Sequence, residues 1–264
     1  MTRPVSAGVD GSPESLAAAV WAGQEAVLRR VPLHIVHADG GPDPAQRDWA
    51  AARIEAVWQE LGTAHPGLPV EVRQESGAPA EVLLAAAGRS ELLVLGSRAL
   101  AGQQGFLLGP VSLSVLGRAP GPVTVVHEPE VPPGPAAGRP VLVGLDPQGP
   151  GEDVLAFAFA AAARRGVALR VVRVRRTEQS TGLVCGEAEA LAETLRAHRE
   201  HWPAVEVDEW LLTGSPAQHL LTAAEDADLL VVGRHEHRPA LGVGPVTHAV
   251  LHHARCPVAV VPHS

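Results

Sequence analysis

Two tandem α/β domains, each a doubly wound parallel sheet of five strands, are what this sequence predicts, and three observations predict it. The first is a repeat. Arg-Pro-Val-x-x-Gly-[Val/Leu]-Asp ends at Asp10 and again at Asp146, and each half closes with Gly-Pro-Val-[Ser/Thr] and a Pro-Val-x-Val-Val run. The second is that Val5, Gly77, Gly96, Gly109 and Pro122 fall on Val141, Gly214, Gly233, Gly244 and Pro257 at offsets that drift by only a residue or two. A repeat of that length is a whole domain and not a solenoid unit. The third is that strand-length apolar runs alternate with helix-length segments, the pattern of a parallel sheet with right-handed crossovers.

The elements of the first copy follow in order. Val5 to Val9 reads as a buried strand, and Asp10-Gly11-Ser12-Pro13 as a turn that starts a helix from Glu14 to about Arg29, closed by a basic pair suited to the helix C-terminus. Leu33 to Ala38 is a second strand, broken by Gly40-Gly41-Pro42 before a helix from about Pro44 to Ala64. Pro69 to Glu75 alternates Val70 and Val72 with charged neighbours, the mark of a strand near a sheet edge. Gly77-Ala78-Pro79-Ala80 opens a third helix, and the unbroken run Leu92 to Leu95 belongs in the sheet centre. A glycine-bearing loop from Gly96 to Leu108, a helix from Pro110 to Gly117 and a strand from Val123 to His127 complete the copy.

The second copy repeats the order, with strands near Val141, Ala168, Val205, Leu229 and Val258. The expected boundaries are residues 1–127 and 139–264, joined by a semi-rigid linker over 128–138 whose prolines disfavour helix and sheet.

Composition narrows the function. The 264 residues are 46% hydrophobic, enough for two cores, and the net charge of −8 argues against nucleic-acid binding, which needs a basic footprint. No apolar run approaches the roughly 20 residues of a membrane span, and the N-terminus lacks a signal-peptide core, so a cytoplasmic protein is expected. Cys185 and Cys256 stand at non-equivalent places, which predicts neither a disulfide framework nor a repeated metal site. All 21 cationic residues are arginine, which excludes lysine chemistry such as a Walker-type loop or a Schiff base. No Ser/His/Asp spacing, nucleophile elbow or carboxylate pair with a base is evident.

Ligands of doubly wound sheets bind beyond the carboxyl ends of the strands, which places Asp10, Ala38 and Gly96 at the expected site. The glycine-bearing loop from Gly96 to Ser112 runs into a helix N-terminus, where backbone N–H groups and the helix dipole attract an anion such as phosphate. Other readings of these residues are structural. Asp10 and Asp146 would cap the helices that follow them, and Gly109-Pro110 and Gly244-Pro245 would be ordinary helix starts. His248, His252 and His253 lie at helical spacing, with His235 and His237 in the loop before them, but no carboxylate or cysteine spacing completes a metal shell.

The opening Val-x-x-Gly-Val-Asp-Gly-Ser, the Gly-x-Pro-Ala helix start and the Gly96–Ser112 loop together resemble the universal stress protein family, once per copy. The resemblance implies a Rossmann-like fold of the adenine nucleotide alpha hydrolase type. It also implies a stress-response regulatory module binding ATP or AMP, with no metal beyond magnesium carried by the nucleotide. Its ATP-binding members carry Gly-x-x-Gly, nine residues, then Gly-[Ser/Thr]. Carried over, the binding residues are Asp10, Ala38, Gly96, Arg98, Gly109 and Ser112 in the first copy, and Asp146, Val174, Gly233, Gly244 and Thr247 in the second.

The departures have physical content. Ala99 stands for the second glycine, and Pro110 removes a hydroxyl and an N–H donor from the phosphate nest. In the second copy Pro245 does the same, and a loop shorter by two residues puts Glu236, a carboxylate, at the second glycine, partly offset by Arg234 and Arg238. The first copy is therefore expected to bind nucleotide better. Arg98 either reaches a phosphate or lies solvated on its loop.

The resemblance further implies a homo-oligomer, a dimer, with a protein partner also in view. It places the last strands, Val123 to Val126 and Val258 to Val261, at interfaces between domains or chains. Two other readings stand beside it: a slow ATPase or adenylyl-transferring enzyme of the same architecture, and an interaction protein that binds no nucleotide.

Overall fold

In the first copy, the glycine at the centre of the opening motif is a packing requirement. A methyl group on Gly8 would lie 2.6 Å from Leu83 Cδ2 and 2.8 Å from Leu95 Cδ2, and one on Gly144 would lie 2.9 Å from both terminal carbons of Leu220. In each copy a helix leucine seats itself in the notch that the missing side chain leaves on the first strand. The sequence repeat is thus a repeated contact between strand and helix.

The computed structural model describes residues 2–39, 44–99, 106–127, 138–146, 151–175, 185–235 and 243–263. The chain divides into two compact units. In the first, β1 (Val5–Gly8), β2 (Leu33–Asp39), β3 (Val70–Ser76), β4 (Leu92–Ala99) and β6 (Val123–His127) form a parallel sheet in the order β3-β2-β1-β4-β6. Val5 pairs with Leu33 on one side and Leu92 on the other, and Leu93 pairs with Val123. Helices α1 (Pro13–Arg29), α2 (Pro44–Ala64), α3 (Pro79–Arg89) and α4 (Pro110–Arg118) are the connections. The second unit repeats this with β7 (Val141–Leu145), β8 (Leu169–Arg175), β9 (Val207–Thr213), β10 (Leu229–His235) and β11 (Val258–His263) in the order β9-β8-β7-β10-β11. Its helices are α5 (Glu152–Arg165), α6 (Cys185–His201), α7 (Pro216–Ala224) and α8 (Pro245–His253).

The five parallel strands expected of each copy are present, and the sequence order reverses at β1/β4 and β7/β10, the place where doubly wound sheets open a crevice. Central strands are buried on both faces: Val5, Ala7, Leu92, Leu93, Val94, Val141, Leu142, Leu230 and Val231 are all at most 1% exposed. The alternation in β3 leaves Val72 exposed at the sheet edge. Glycine is forced by the backbone at the two corners that follow β3 and β9, where Gly77 (φ 142°) and Gly214 (φ 136°) turn the chain into α3 and α7.

One expectation is corrected. The stretch from Gly96 to Leu108 does not leave the sheet at Gly96, because β4 continues to Ala99 and a short β5 (Phe106–Leu107) pairs antiparallel with it, Arg98 opposite Leu107 and Ala99 opposite Phe106. Gly96 is what lets the strand continue. A methyl there would fall 2.5 Å from the carbonyl oxygen of Glu14 and 2.8 Å from the Ser15 nitrogen, so only a bare Cα passes the start of α1. In the second domain His235, expected in a loop, is the last residue of β10, and β9 begins just after Val205.

The Gly40–Pro42 break, residues 100–105, the linker up to Ala137, and Glu236, His237 and Arg238 lie outside the described residues. Among the described residues no helix is long and apolar enough to cross a membrane.

Candidate functional site

At the end of β1 the chain turns through Asp10-Gly11-Ser12 into α1. Ser12, and not Asp10, is the N-cap: its Oγ accepts from the Ser15 N–H at 3.4 Å, and Pro13 takes the first helical position. Asp10 holds the cap in place, its Oδ1 accepting from the Ser12 N–H at 3.0 Å and the Ser12 hydroxyl at 2.5 Å. The expectation that Asp10 caps the helix is thereby corrected, because the serine two residues on reaches the first-turn N–H of Ser15 directly. Asp10 itself is exposed at the sheet's carboxyl edge.

This turn is tied to its neighbours on both sides. The Asp10 N–H donates to Ser15 Oγ at 3.2 Å, and Ser15 stands against Gly96 of β4. On the other side His37 Nδ1 donates to the Val9 carbonyl at 2.8 Å, locking the end of β2, with Ala38 next along it, to the end of β1. Asp10, Ala38 and Gly96 are therefore brought to one edge. A residue the sequence did not single out joins them: Trp49 of α2, whose ring would lie 2.9 Å from a methyl on Gly11.

Gly109 and Ser112 stand in the first turn of α4, Gly109 as N-cap (φ −67°) and Pro110 at the first helical position. The helix-start reading accounts for the proline at the first helical position and for a glycine N-cap before it. Gly109 has an ordinary negative φ, and among the described residues a methyl there would meet nothing within 4 Å. Gly244, N-cap of α8 (φ −70°), is the same in both respects. Packing dictates Gly96, whereas among the described residues nothing crowds Gly109 or Gly244, whose place is that of an N-cap. Arg98 lies on β4, and its side chain is outside the described residues.

Beside Gly96, Ser97 Oγ and His127 Nδ1 are hydrogen-bonded across β4 and β6, both buried. A serine and a histidine in contact suggest nucleophile chemistry, but Ser97 is 1% exposed and no substrate carbonyl or phosphorus can approach it without rearrangement.

The second domain's edge is filled by its own side chains. His263, at the end of β11, lies on Gly233, where a methyl would fall 2.8 Å from the ring. His235 sits 4.2 Å from His263 between ring centroids, and its Nε2 is 3.7 Å from Asp146 Oδ2. Thr247 is buried and its hydroxyl donates to the Gly233 carbonyl at 3.2 Å, a structural tie between α8 and β10. Val174 is buried in β8. The structure thus gathers Asp146, Gly233 and Thr247, but around histidines. The sequence held no signal for this meeting, because His263 and His235 come together only through strand pairing.

The rings of His248 and His252 of α8 lie 4.4 Å apart between centroids, tilted by 41°, and burial, followed by the neighbouring His252 and His253, holds His248 below the ordinary histidine pKa. Among the described residues no three His, Cys, Asp or Glu side chains are grouped as metal ligands.

Comparison with known proteins places this geometry. The model of the universal stress protein family matches residues 1–127 and 138–262. The universal stress protein Rv2005c of Mycobacterium tuberculosis is 35% identical, over 98% of this chain and 97% of that protein, and Rv2623 of the same organism is 31% identical over 97% and 95%. A crystal structure of a universal stress protein from Archaeoglobus fulgidus superposes with a TM-score of 0.78 at 19% identity, covering 99% of this chain and 98% of that one. Two doubly wound domains with this element order, in one chain, define a tandem α/β protein of the stress-protein type. The chain belongs to the universal stress protein family, as a member with two tandem family segments.

Proposed function

We propose that this protein is a stress-response regulatory module that binds an adenine nucleotide, ATP or AMP, in the domain spanning residues 1–127. The domain spanning 139–264, beyond the 128–138 linker, binds it weakly or not at all. The observation that carries this reading is Gly109. Among the described residues nothing crowds its Cα, and at a helix N-terminus on the carboxyl side of the sheet that suits close approach of a phosphate to backbone N–H groups; Gly244 shares this, so the preference for the first domain rests on the edge side chains and the altered loop residues. Asp10, exposed at the same edge and held by Ser12, is placed to take a ligand hydroxyl or amine; the Ser112 hydroxyl and the first-turn N–H groups of α4 suit the phosphates and any magnesium they carry.

The asymmetry has a structural support besides the altered loop residues. In the second domain the His263 ring lies on Gly233 and His235 stands 3.7 Å from Asp146; in the first, Gly96 meets the backbone at the start of α1 instead and Asp10 is exposed. A ligand taking Asp146 would compete with the His235 ring for it.

The role is binding and not turnover, with a homo-oligomer and a protein partner as the route to regulation. Buried Ser97 supplies no accessible nucleophile, and the sequence supplies no lysine. Mass spectrometry of the gently purified protein tests the reading: adenine nucleotide is expected to co-purify. Calorimetric titration is expected to give one site per chain, weakened by Asp10→Ala and unaffected by Asp146→Ala. The absence of binding in the wild type, or equal loss in both variants, refutes it. Single-turnover incubation with labelled ATP is expected to give no product above buffer, which separates this reading from a slow ATPase.

A further inference from the structure

The first domain's edge carries one large aromatic side chain that the domain's own packing uses only in part. Trp49 belongs to α2, and a methyl on Gly11 would meet its Cζ3 at 2.9 Å and the Ala50 Cα at 3.0 Å, so the benzenoid end of the indole rests on the Asp10–Ser12 turn. Arg53, one helical turn on, sets its guanidinium carbon 5.2 Å from the ring centroid. Between these contacts Trp49 remains 48% exposed, while Ala50, Ile54, Val57 and Leu61 of the same helix are buried.

The comparison with Trp58 isolates what is unusual. Trp58 is 40% exposed on the same helix, but its indole N–H donates to the Val70 carbonyl at 3.4 Å, at the start of β3 and so at the opposite end of the sheet. Trp58 has a structural partner for its polar atom. Trp49 instead meets the glycine at the ligand edge with the benzenoid end of its ring. Replacing that glycine would displace the ring, so Gly11 and Trp49 form one unit. In the second domain the corresponding helix, α6, contains no tryptophan.

We propose that Trp49 is the stacking wall of the base subsite in the first domain. Its exposed indole surface, beside Asp10, takes the flat face of a purine, while Arg53 and the Gly11 turn fix the ring's orientation in advance. The inference rests on the nucleotide-binding reading above and names the residue that selects an aromatic base within it. Base-on-indole stacking is tolerant of base identity because every base has a π-face. The subsite therefore favours a purine over a non-aromatic ligand more than it separates adenine from guanine.

The test is titration of the full chain, Trp49→Phe and Trp49→Ala with AMP, followed by calorimetry and by tryptophan emission. AMP is expected to quench the emission of the wild type. Trp49→Phe, which keeps a ring, is expected to bind within about threefold of wild type but to lose the quench, and Trp49→Ala to bind about tenfold more weakly or worse. Melting curves of the three proteins show that the half-exposed position leaves the fold intact. Equal affinity of Trp49→Ala and wild type, or a quench that survives in Trp49→Phe, overturns the inference while leaving nucleotide binding standing. Equal weakening of both variants also overturns it, since the ring would then serve only the turn. If wild type binds neither AMP nor ATP, both readings fall together.

Discussion

Gly96 and Glu14 stand so close that a methyl group on the glycine would lie 2.5 Å from the glutamate's carbonyl oxygen. Both partners are backbone, so neither side chain can turn away to relieve the clash. Gly96→Ala is expected to destabilise the protein by about 1–3 kcal/mol, the usual cost of overpacking, read as a lower urea midpoint at unchanged slope. Gly109→Ala, placed in open space at negative φ, is expected to cost about 1 kcal/mol or less, the ordinary penalty of alanine at an N-cap. Its main effect is expected in weaker nucleotide binding. A pair of melts and a pair of titrations separate the glycine of the framework from the glycine of the ligand edge.

The corner glycines give a second expectation. Gly77 and Gly214 occupy a backbone region that L side chains rarely adopt, so Gly77→Ala and Gly214→Ala should each cost about 1–3 kcal/mol through strain. Chemical denaturation of each variant measures it, and a cost below that of a typical surface substitution would contradict the assigned geometry.

Acidification should destabilise the protein near neutrality. Burial lowers the pKa of His198, which stacks on Phe159 at 5.3 Å, and also that of His34 and His248. The unfolded chain therefore takes up protons before the folded one does, and stability falls as pH drops below the ordinary histidine value of 6.5. The loss ends once pH passes below the lowered folded-state values. Urea midpoints measured between pH 7.5 and 5 are expected to decline, and His198→Gln to flatten the decline. A midpoint that rises over this range would reverse the sign argued here.

Cys256 should be chemically silent in the folded protein. It is 7% exposed, and burial pushes its thiol up to about 12 from an ordinary value of 9.0, which leaves almost no thiolate to react. Iodoacetamide at pH 8 is expected to leave Cys256 unmodified in native buffer and to alkylate it fully in urea, as peptide mapping would show.

What the sequence made legible was whatever repeats or punctuates. Pro13, Pro79, Pro110, Pro216 and Pro245 each mark a helix start, and runs such as Leu92 to Leu95 mark central strands. The extension of β4 to Ala99 was not legible, because it depends on a missing Cβ at Gly96 meeting a different element and on Phe106–Leu107 folding back to pair. Asp10 and Ser12 are both good caps on paper, and only the turn geometry decides that serine caps while aspartate braces it. Trp49 gave no signal because α2 carries two tryptophans off its buried stripe, and only the fold shows which of them lies at the ligand edge. His235 and His263 gave none because strand pairing, not sequence spacing, brings their rings together.

The notch at Gly8 and its counterpart at Gly144, each filled by a leucine from a following helix, also bears on how a duplicated gene can drift. A substitution at either glycine would push the facing leucine out of its seat, Leu83 in one half and Leu220 in the other, so each copy has the same reason to keep its inherited joint. The outer edge has diverged instead, one half showing a tryptophan against Gly11 and the other a histidine against Gly233. Grafting the edge residues of one half onto the other should therefore be a workable exchange of parts, because the joints beneath are the same.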